Sequence, residues 1–217
     1  MDTQVVSLDP AAKTMEVRSQ AGGDGETLAY DYLVLAPGAV TQPERIPGLA
    51  DFGLDISSRD DALLLKSRLG AITEGSVVVA VASVPYKCPP APFEYACLTD
   101  HILRQRGVRD AISVTVVCNV KFPMGSPVVE SALLGVLAER GVKYIPFFEI
   151  DSVAADEHGR PVVQGHTPEE ASKPLPADLL LFTGLQRAPQ FIFDAGLTNP
   201  KGFVPVDLLT NRCVKAE

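Results

Sequence analysis

The sequence predicts an α/β fold whose central part is a parallel β-sheet. Three apolar runs, the first two rich in β-branched residues, alternate with two segments of helical pattern along the chain. The predicted order is strand 77–82, helix 92–106, strand 113–118, a helix that starts at Pro127, and strand 143–148. Alternation of this kind is typical of βαβαβ units, so we interpret the central part as a Rossmann-like sheet.

The N-terminal part is predicted to begin with two short strands. Residues 3–8 and 14–18 have strand-like sequences, and a turn rich in Gly and Asp follows at 21–26. The apolar run at 32–35 is then predicted to form a buried strand. That strand would end at Ala36-Pro37-Gly38, where Pro and Gly favour a turn.

A helix is predicted to follow Ser58. Ser58 can cap a helix N-terminus, and Asp61 stands three residues later, in the spacing of a capping pair. The helix would carry Leu65 and Leu69 and would extend to Gly70.

The central helices and the segment after them have their own boundary signals. Gly107 is predicted to end the first helix, Ser126 is placed as the N-cap of the second helix, and Gly141 follows its last turn. A β-meander is predicted from strands at 153–156 and 161–164, and a buried strand follows at 179–182.

The composition is that of an acidic globular chain. The 217 residues are 46% hydrophobic, enough to bury a sizeable core, and the formal net charge is −8. Surfaces that bind nucleic acid or anionic membranes need clustered Lys and Arg, so we expect neither interaction. No apolar run approaches the roughly 18 residues of a membrane span and no signal peptide is visible, so the chain itself is expected to be soluble.

The cysteines and histidines do not have the spacing of a metal site or a disulfide scaffold. The chain has four cysteines and three histidines, and no two cysteines form a C-x-x-C pair. Cys97 lies within a predicted helix and Cys118 ends an apolar strand, so we interpret both as buried small hydrophobic residues. Cys213 is left open, and no metal is predicted.

Cys88 occupies the loop where a dinucleotide-binding domain places its phosphate-binding glycines. The loop follows strand 77–82 and has the sequence SVPYKCPPAPFE, in which no glycine is present. Its prolines remove backbone N–H donors that would otherwise bind phosphate. The N-terminus of the next helix and Lys87 should both favour the thiolate form of Cys88. The loop is therefore predicted to serve sulfur chemistry.

The end of the second central strand gives an independent test of nucleotide binding. NAD-binding domains usually place an Asp or Glu there, which binds the ribose hydroxyls. Residues 116–121 have the sequence VVCNVK and contain no acid. Since both the glycines and the acid are absent, we predict that the chain does not bind NAD(P).

Several segments resemble the two-dinucleotide flavoproteins of the pyridine nucleotide-disulfide oxidoreductase superfamily. YDYLVLAPG at 30–38 is similar to the second FAD motif of that superfamily, with Pro37 in place of the usual Thr. PYKCPPAPFE at 85–94 resembles the active-site segment of sulfide:quinone oxidoreductases and of the flavoprotein subunit of flavocytochrome c sulfide dehydrogenase. The segments at 175–180, 195–197 and 202–207 follow the order of the superfamily.

The resemblance implies that the chain is an internal fragment of a longer flavoprotein. The first Gly-rich FAD segment and the later Gly-Asp motif of the family have no counterpart here, so FAD is expected in the full-length parent and is not expected to stay bound to this chain. Three parts are implied. They are a partial FAD-binding-domain segment at 1–75, a Rossmann-like NAD(P)-type domain without nucleotide fingerprint at 76–190, and a truncated return segment of the FAD domain at 191–217.

The resemblance also implies roles for individual residues. Cys88 would be one of two redox cysteines that carry sulfur beside the flavin, and Glu94 would be the carboxylate near the entry of sulfide. Glu94 can act as a proton acceptor there, or it can simply complement the helix dipole. Ala36, Pro37 and Gly38 would contact FAD through their backbone, or they can form a plain turn after a strand.

The implied substrate is sulfide or another small sulfur species, and the implied electron acceptor is a quinone or a cytochrome c-type protein. Ser57 and Ser58 stand roughly where many sulfide:quinone oxidoreductases have a further cysteine, which favours the flavocytochrome c type or an atypical quinone-linked enzyme. The parent is expected to be a peripheral membrane or periplasmic protein and a possible homodimer, with membrane contact only through segments outside this chain.

Two alternatives remain open at this point. The chain can be a fragment of an NAD(P)H-dependent flavoprotein disulfide reductase or NADH dehydrogenase, although the missing glycines and ribose acid oppose that hypothesis. It can also be a non-enzymatic α/β interaction module that uses its acidic surface.

Overall fold

The computed structural model describes residues 2–121 and 126–216, and it is a mixed α/β protein. The helices are α1 (Leu49–Phe52), α2 (Arg59–Ala71), α3 (Ala91–Gln105), α4 (Pro127–Glu139) and α5 (Gln190–Asp194). The strands are β1 (Thr3–Asp9), β2 (Thr14–Ser19), β3 (Glu26–Ala29), β4 (Val40–Thr41), β5 (Gly53–Asp55), β6 (Gly75–Val81), β7 (Ile112–Cys118), β8 (Lys143–Ile145), β9 (Glu149–Ala155), β10 (Pro161–His166), β11 (Leu175–Pro176), β12 (Leu179–Thr183) and β13 (Gln186–Arg187).

The chain divides into two compact units, one of which combines an N-terminal and a C-terminal segment. One unit consists of Met1–Thr41 together with Gln186–Glu217, and the other is Gln42–Leu185. The domain boundaries predicted at 75/76 and 190/191 stay a prediction.

The larger unit is built on a five-stranded sheet in the order β5-β12-β6-β7-β8, and all of its neighbouring strands are parallel. Its central strands are buried on both faces, as their continuous apolar sequences require. The predicted Rossmann-like fold class is therefore confirmed.

Helices cover one face of this sheet and the β-meander covers the other. Leu65 of α2, Phe93 of α3 and Leu137 of α4 belong to one buried cluster with inward residues of the strands. Leu49 of α1 and Val163 of β10 belong to the cluster on the opposite face. The meander itself is antiparallel, in the order β11-β10-β9.

The helix boundaries follow the local signals in the sequence. The Ser58 hydroxyl accepts a hydrogen bond of 3.2 Å from the backbone N–H of Asp61, which is the predicted cap of α2. Gly107 and Gly141 follow α3 and α4 with φ of +72° and +64°, conformations that end helices and favour glycine.

The strand predicted at 143–148 is shorter in the structure. It ends at Ile145, and Phe147 has φ of +55°, so the chain turns there before β9 begins. The turn places Phe148 in the cluster on the meander side, where its side chain is fully buried. Burial of this aromatic ring explains why the apolar run does not continue as one strand.

The smaller unit contains the antiparallel sheet β1-β2-β3, the pair β4–β13 and α5. Leu8 of β1 packs with Ile192 of α5 and with Leu197. The strands predicted at 3–8 and 14–18 form as expected, and β3 adds a strand directly after the predicted turn.

The prediction of a buried strand at 32–35 is wrong. No strand is assigned there, and Tyr32 and Val34 are 91% and 88% exposed. Leu33 and Leu35 point the other way and pack against the core of the smaller unit. An apolar run becomes a buried strand only when neighbouring strands pair with it, and among the described residues none is paired with this segment.

Candidate functional site

The loop that carries Cys88 connects β6 to α3 and is attached to the end of the neighbouring strand β12. The backbone N–H of Ala82 donates to the carbonyl of Thr183 at 2.8 Å. The Ser83 hydroxyl accepts a hydrogen bond from the backbone N–H of Leu185. The loop therefore leaves the sheet from a fixed position at the carboxyl ends of the parallel strands, where α/β sheets commonly place their sites.

Cys88 itself has an unusual backbone conformation. Its φ is +50°, in the left-handed region that residues other than Gly, Asn and Asp adopt infrequently. Its carbonyl accepts a hydrogen bond of 2.9 Å from the N–H of Ala91, the first residue of α3. The Tyr86 hydroxyl donates to the carbonyl of Pro89 at 2.9 Å. These bonds enclose an exposed thiol next to the N-terminus of a 15-residue helix.

Glu94 lies in the first turn of α3 and its side chain is exposed. Its backbone N–H donates to the carbonyl of Pro90 at 3.0 Å, which fixes the start of the helix. Phe93 beside it is buried and its ring lies 6.0 Å from the ring of Tyr144, centroid to centroid. The structure therefore places Cys88 and Glu94 at the same end of α3, and both of their side chains face solvent.

Four titratable side chains gather beneath this loop, at the carboxyl ends of β6, β7 and β8. They are Tyr86 from the loop, Cys118 at the end of β7, Glu130 in the first turn of α4 and Tyr144 of β8. Cys118 and Glu130 are fully buried. We call this group the strand-end cluster.

Burial opposes ionisation of Tyr86, Cys118 and Tyr144 in the strand-end cluster, and Glu130 adds to the effect on each. Burial, reinforced by the negative charge of Glu130, raises the pKa of Cys118 to about 11. Burial is also the main reason why the pKa of Tyr86 and that of Tyr144 lie far above the ordinary value for tyrosine, and Cys118 and Glu130 add to both shifts. Both phenols and the Cys118 thiol are therefore protonated at neutral pH. A protonated phenol can donate a hydrogen bond.

The strand-end cluster occupies the crevice where related sheets bind nucleotides. In doubly wound α/β folds, a dinucleotide lies across the carboxyl ends of the first two strands of the unit. Here that region holds Tyr86 in place of a glycine turn and Cys118 followed by Asn119 in place of a ribose-binding acid.

The predicted FAD contacts lie in the smaller unit. Ala36, Pro37 and Gly38 are all exposed, and Gly38 has φ of +74° with no atom within 4 Å of the position that a Cβ would occupy. An open backbone with a glycine at such a position can be approached closely by a large ligand. These residues fit backbone contact with FAD, and they supply no charge for its phosphates.

A cleft of about 520 Å³ in the smaller unit does not extend this site. It lies between the first two strands and the end of α5, and residues 36–38 do not line it. Asp9, Glu16 and Asp194 line it and give it a negative character that does not suit a phosphate group. We therefore assign it no part in cofactor binding.

The remaining cysteines have the surroundings of packed side chains. Cys97 is half-buried and packs against the helix-side core, and burial raises its pKa. Cys213 is half-buried against the core of the smaller unit.

Across residues 2–121 and 126–216, no group of His, Cys, Asp and Glu could hold a metal ion. Within the same residues no helix is both long and apolar enough to cross a membrane.

The sequence analysis did not identify Glu130 or Tyr144. Glu130 stands alone as an acid among apolar residues in PVVESALLGVLA, which is the pattern by which a buried carboxyl can be recognised. No such signal marks Tyr144, because its contact with the loop region depends on the pairing of β8 with β7.

The chain belongs to the pyridine nucleotide-disulphide oxidoreductase family, whose model matches residues 1–214. The chain is 27% identical over 97% of its length to the mitochondrial sulfide:quinone oxidoreductase of Schizosaccharomyces pombe, and it covers 46% of that protein. It is 33% identical over 36% of its length to an NADH dehydrogenase-like protein of Mycobacterium tuberculosis, of which it covers 20%.

Solved structures with the same fold include a sulfide:quinone oxidoreductase and an NADH-binding protein. The sulfide:quinone oxidoreductase of Aquifex aeolicus aligns with a TM-score of 0.76 at 22% identity, covering 93% of this chain and 46% of that one. NDH2 from Plasmodium falciparum in complex with NADH aligns with a TM-score of 0.72 at 14% identity, covering 93% and 44%. The chain thus spans less than half the length of each of these relatives. At these identities the two structures establish the fold alone.

Proposed function

We propose that the chain is part of an FAD-dependent oxidoreductase that oxidises sulfide or a related small sulfur species through Cys88. The observation that carries the proposal is the exposed Cys88 thiol, held by a proline-rich loop at the N-terminus of α3 where an NAD domain would present glycines. An accessible thiol in the positive potential of a helix N-terminus is suited to reversible sulfur chemistry.

The proposed first step is an exchange at sulfur. In the oxidised parent, Cys88 is joined in a disulfide to a second cysteine, and HS⁻ attacks the Cys88 sulfur. The S–S bond breaks, Cys88 becomes a persulfide, and the second cysteine leaves as a thiolate that carries the electron pair of the broken bond. The proton lost by H₂S goes to a nearby base, and Glu94 is the exposed carboxylate at this end of α3.

FAD, when bound to the parent, would accept two electrons per sulfide and pass them on to a quinone or a cytochrome c-type protein. The residues of this chain that we propose to contact it are Ala36, Pro37 and Gly38, through their backbone. This chain alone is not proposed to retain FAD, since it supplies no residues for the phosphates.

The test uses this chain and needs no flavin. Cys88 is first converted to a mixed disulfide with oxidised glutathione, sulfide is then added, and the products are mapped by mass spectrometry. We expect a persulfide on Cys88 and release of glutathione, and C88S should give neither. A persulfide that forms mainly on another cysteine, or none at all, would contradict the proposal.

The role of Glu94 is tested by comparing E94Q with D60N. Glu94 and Asp60 are both exposed acids in the first turn of a helix, so both variants remove a favourable interaction with a helix dipole. If Glu94 accepts a proton, only E94Q slows persulfide formation, and E94D retains most of the rate. Equal rates in all variants would leave Glu94 with the dipole role alone.

A second candidate is a fragment of an NADH-dependent flavoprotein dehydrogenase. The similarity to the mycobacterial NADH dehydrogenase-like protein favours it. The glycine-free loop and the acid-free end of β7 oppose it, because they lack the two features by which such domains hold NADH. Binding of NADH to this chain would support this candidate over sulfide oxidation.

A non-enzymatic interaction module is the third possibility, and persulfide chemistry confined to Cys88 would oppose it.

A further inference from the structure

We infer that Tyr86 is a positioning residue that holds the Cys88 backbone in its left-handed conformation and so presents the thiol to solvent. This inference deepens the proposed function and rests on it for its biological meaning. The observation behind it is the hydrogen bond from the Tyr86 hydroxyl to the Pro89 carbonyl, which closes a ring of backbone around Lys87 and Cys88.

The position of this bond in the loop is informative. Proline fixes φ at Pro85, Pro89 and Pro90, so these residues are already restrained. Lys87 and Cys88 lie between them without that restraint, and Cys88 has the φ of +50° that is unfavourable for a residue with a Cβ. The hydrogen bond from Tyr86 to Pro89 spans Lys87 and Cys88. We infer that it stabilises the left-handed backbone conformation of Cys88, which is unfavourable without it.

The side chain of Tyr86 is held in place by its packing beneath the loop. Its side chain is half-buried and belongs to the strand-end cluster with Cys118 and Glu130, below the loop. Burial and the neighbouring negative groups keep its phenol protonated well beyond neutral pH. The hydroxyl is therefore a hydrogen-bond donor at neutral pH.

Tyr144 provides a matched control. It belongs to the same cluster and its phenol is also kept protonated by burial, but its hydroxyl contacts Glu130 and Cys118 and donates to the carbonyl of Lys121 at 3.2 Å. That bond is outside the Cys88 loop. Y86F and Y144F therefore each delete the hydroxyl of a half-buried tyrosine, and only Y86F removes a bond around Cys88.

The experiment compares both variants in this chain. NMR measures the one-bond Cα–Hα coupling of Cys88, which distinguishes positive from negative φ, and hydrogen exchange of the Ala91 amide, which is bonded to the Cys88 carbonyl. The rate of mixed-disulfide formation at Cys88 is measured alongside. We expect Y86F to lose the positive-φ signature, to exchange Ala91 about tenfold faster and to change the Cys88 rate by about threefold or more. Y144F should leave all three unchanged.

A general structural role would give a different result, since both variants would then lower the urea midpoint and move the three local readouts together. The inference is overturned if Y86F keeps the positive-φ signature or if its readouts match those of Y144F. Loss of the signature in Y86F, with no persulfide on wild-type Cys88, would uphold the positioning role and contradict the proposed sulfur chemistry.

A second variant keeps the inference testable if Y86F does not fold. Glycine adopts φ of +50° without strain, so C88G is expected to raise the urea midpoint of the chain. Glycine should also make the restraint by Tyr86 less important, so the Y86F/C88G double variant should fold. A lower midpoint in C88G, or a double variant that is also unfolded, would overturn the inference.

Discussion

Gly184 lies directly against Ser83, and no side chain fits between them. A Cβ on Gly184 would be 2.6 Å from the backbone nitrogen of Ser83 and 2.9 Å from its carbonyl oxygen, and Gly184 has φ of +106°. The contact joins the end of β12 to the first residues of the Cys88 loop, beside the hydrogen bond from Leu185 to the Ser83 hydroxyl. A glycine is required at this position for both space and backbone conformation.

G184A is therefore expected to destabilise the chain by about 2 kcal/mol or more, because it adds both a clash and an unfavourable φ. Urea unfolding followed by circular dichroism measures the change. The matched control is G135A, since Gly135 lies within α4 and has no atom within 4 Å of its Cβ position. G135A should stabilise the chain by about 0.5 kcal/mol, as alanine favours a helix over glycine. Equal effects of the two variants would contradict the contact between Gly184 and Ser83.

Asp100 forms a buried ion-pair network that ties the ends of two helices together. Its carboxylate accepts hydrogen bonds from Arg104 at 3.0 Å, Arg109 at 2.6 Å and Arg140 at 3.3 Å, and its side chain is fully buried. Arg109 also donates to the carbonyls of Arg140 and Gly141, just after the end of α4. Burial alone would raise the pKa of Asp100, but the three hydrogen bonds outweigh it and the pKa is lowered.

D100N should lower the free energy of unfolding at pH 7 by about 3 kcal/mol, because it removes a fully buried carboxylate from three arginines, of which Arg109 is itself mostly buried. A carboxyl whose pKa is lowered by folding stabilises the protein above its unfolded pKa of about 3.9, and this contribution is lost as the pH falls through the folded value. The difference between wild type and D100N should therefore shrink as the pH falls below about 4. Denaturant unfolding at several pH values measures it.

D110N is the control for this prediction, because Asp110 is an exposed acid at the same end of the sheet. Its effect should stay within about 0.5 kcal/mol at every pH. A D100N variant that is as stable as D110N would show that the arginine network does not stabilise the fold.

Cys88 should react with iodoacetamide before Cys97 and Cys118. Cys88 is exposed, whereas burial raises the pKa of Cys118 to about 11 and also raises that of Cys97. A higher pKa leaves less thiolate at neutral pH, and the thiolate is the form that reacts. Peptide mapping after a limiting dose of reagent at pH 7 gives the order, and 6 M urea should remove most of the difference. Earlier labelling of Cys97 or Cys118 in the folded chain would contradict it.

Features that depend on neighbouring residues in the chain could be predicted from the sequence. The cap of α2 by Ser58 and the glycines after α3 and α4 form as expected, since a few adjacent residues determine each of them. The apolar runs at 77–82 and 113–118 become parallel strands because continuous β-branched sequences suit a sheet that is covered on both faces.

Features that depend on distant partners could not be predicted. The run at 32–35 has the composition of a strand, but strand formation also needs a partner, and no local pattern reveals whether one is present. The cysteine loop was recognised from its sequence, whereas the Tyr86–Pro89 bond and the buried Glu130 beneath it arise from tertiary packing. Their role therefore became visible only in the structure.

We expect that this chain does not bind NADH or NADPH. The loop after β6 has prolines and Cys88 in place of glycines, and the end of β7 has no acid, so both features that hold a dinucleotide are absent from the segments where they are expected. Isothermal titration calorimetry should give no measurable heat of binding, while an oxidoreductase known to bind NADH serves as the positive control. A dissociation constant in the low micromolar range for this chain would contradict the prediction and would favour an NADH-dependent parent, because it would show that the chain holds a dinucleotide without the usual glycine loop and ribose-binding acid.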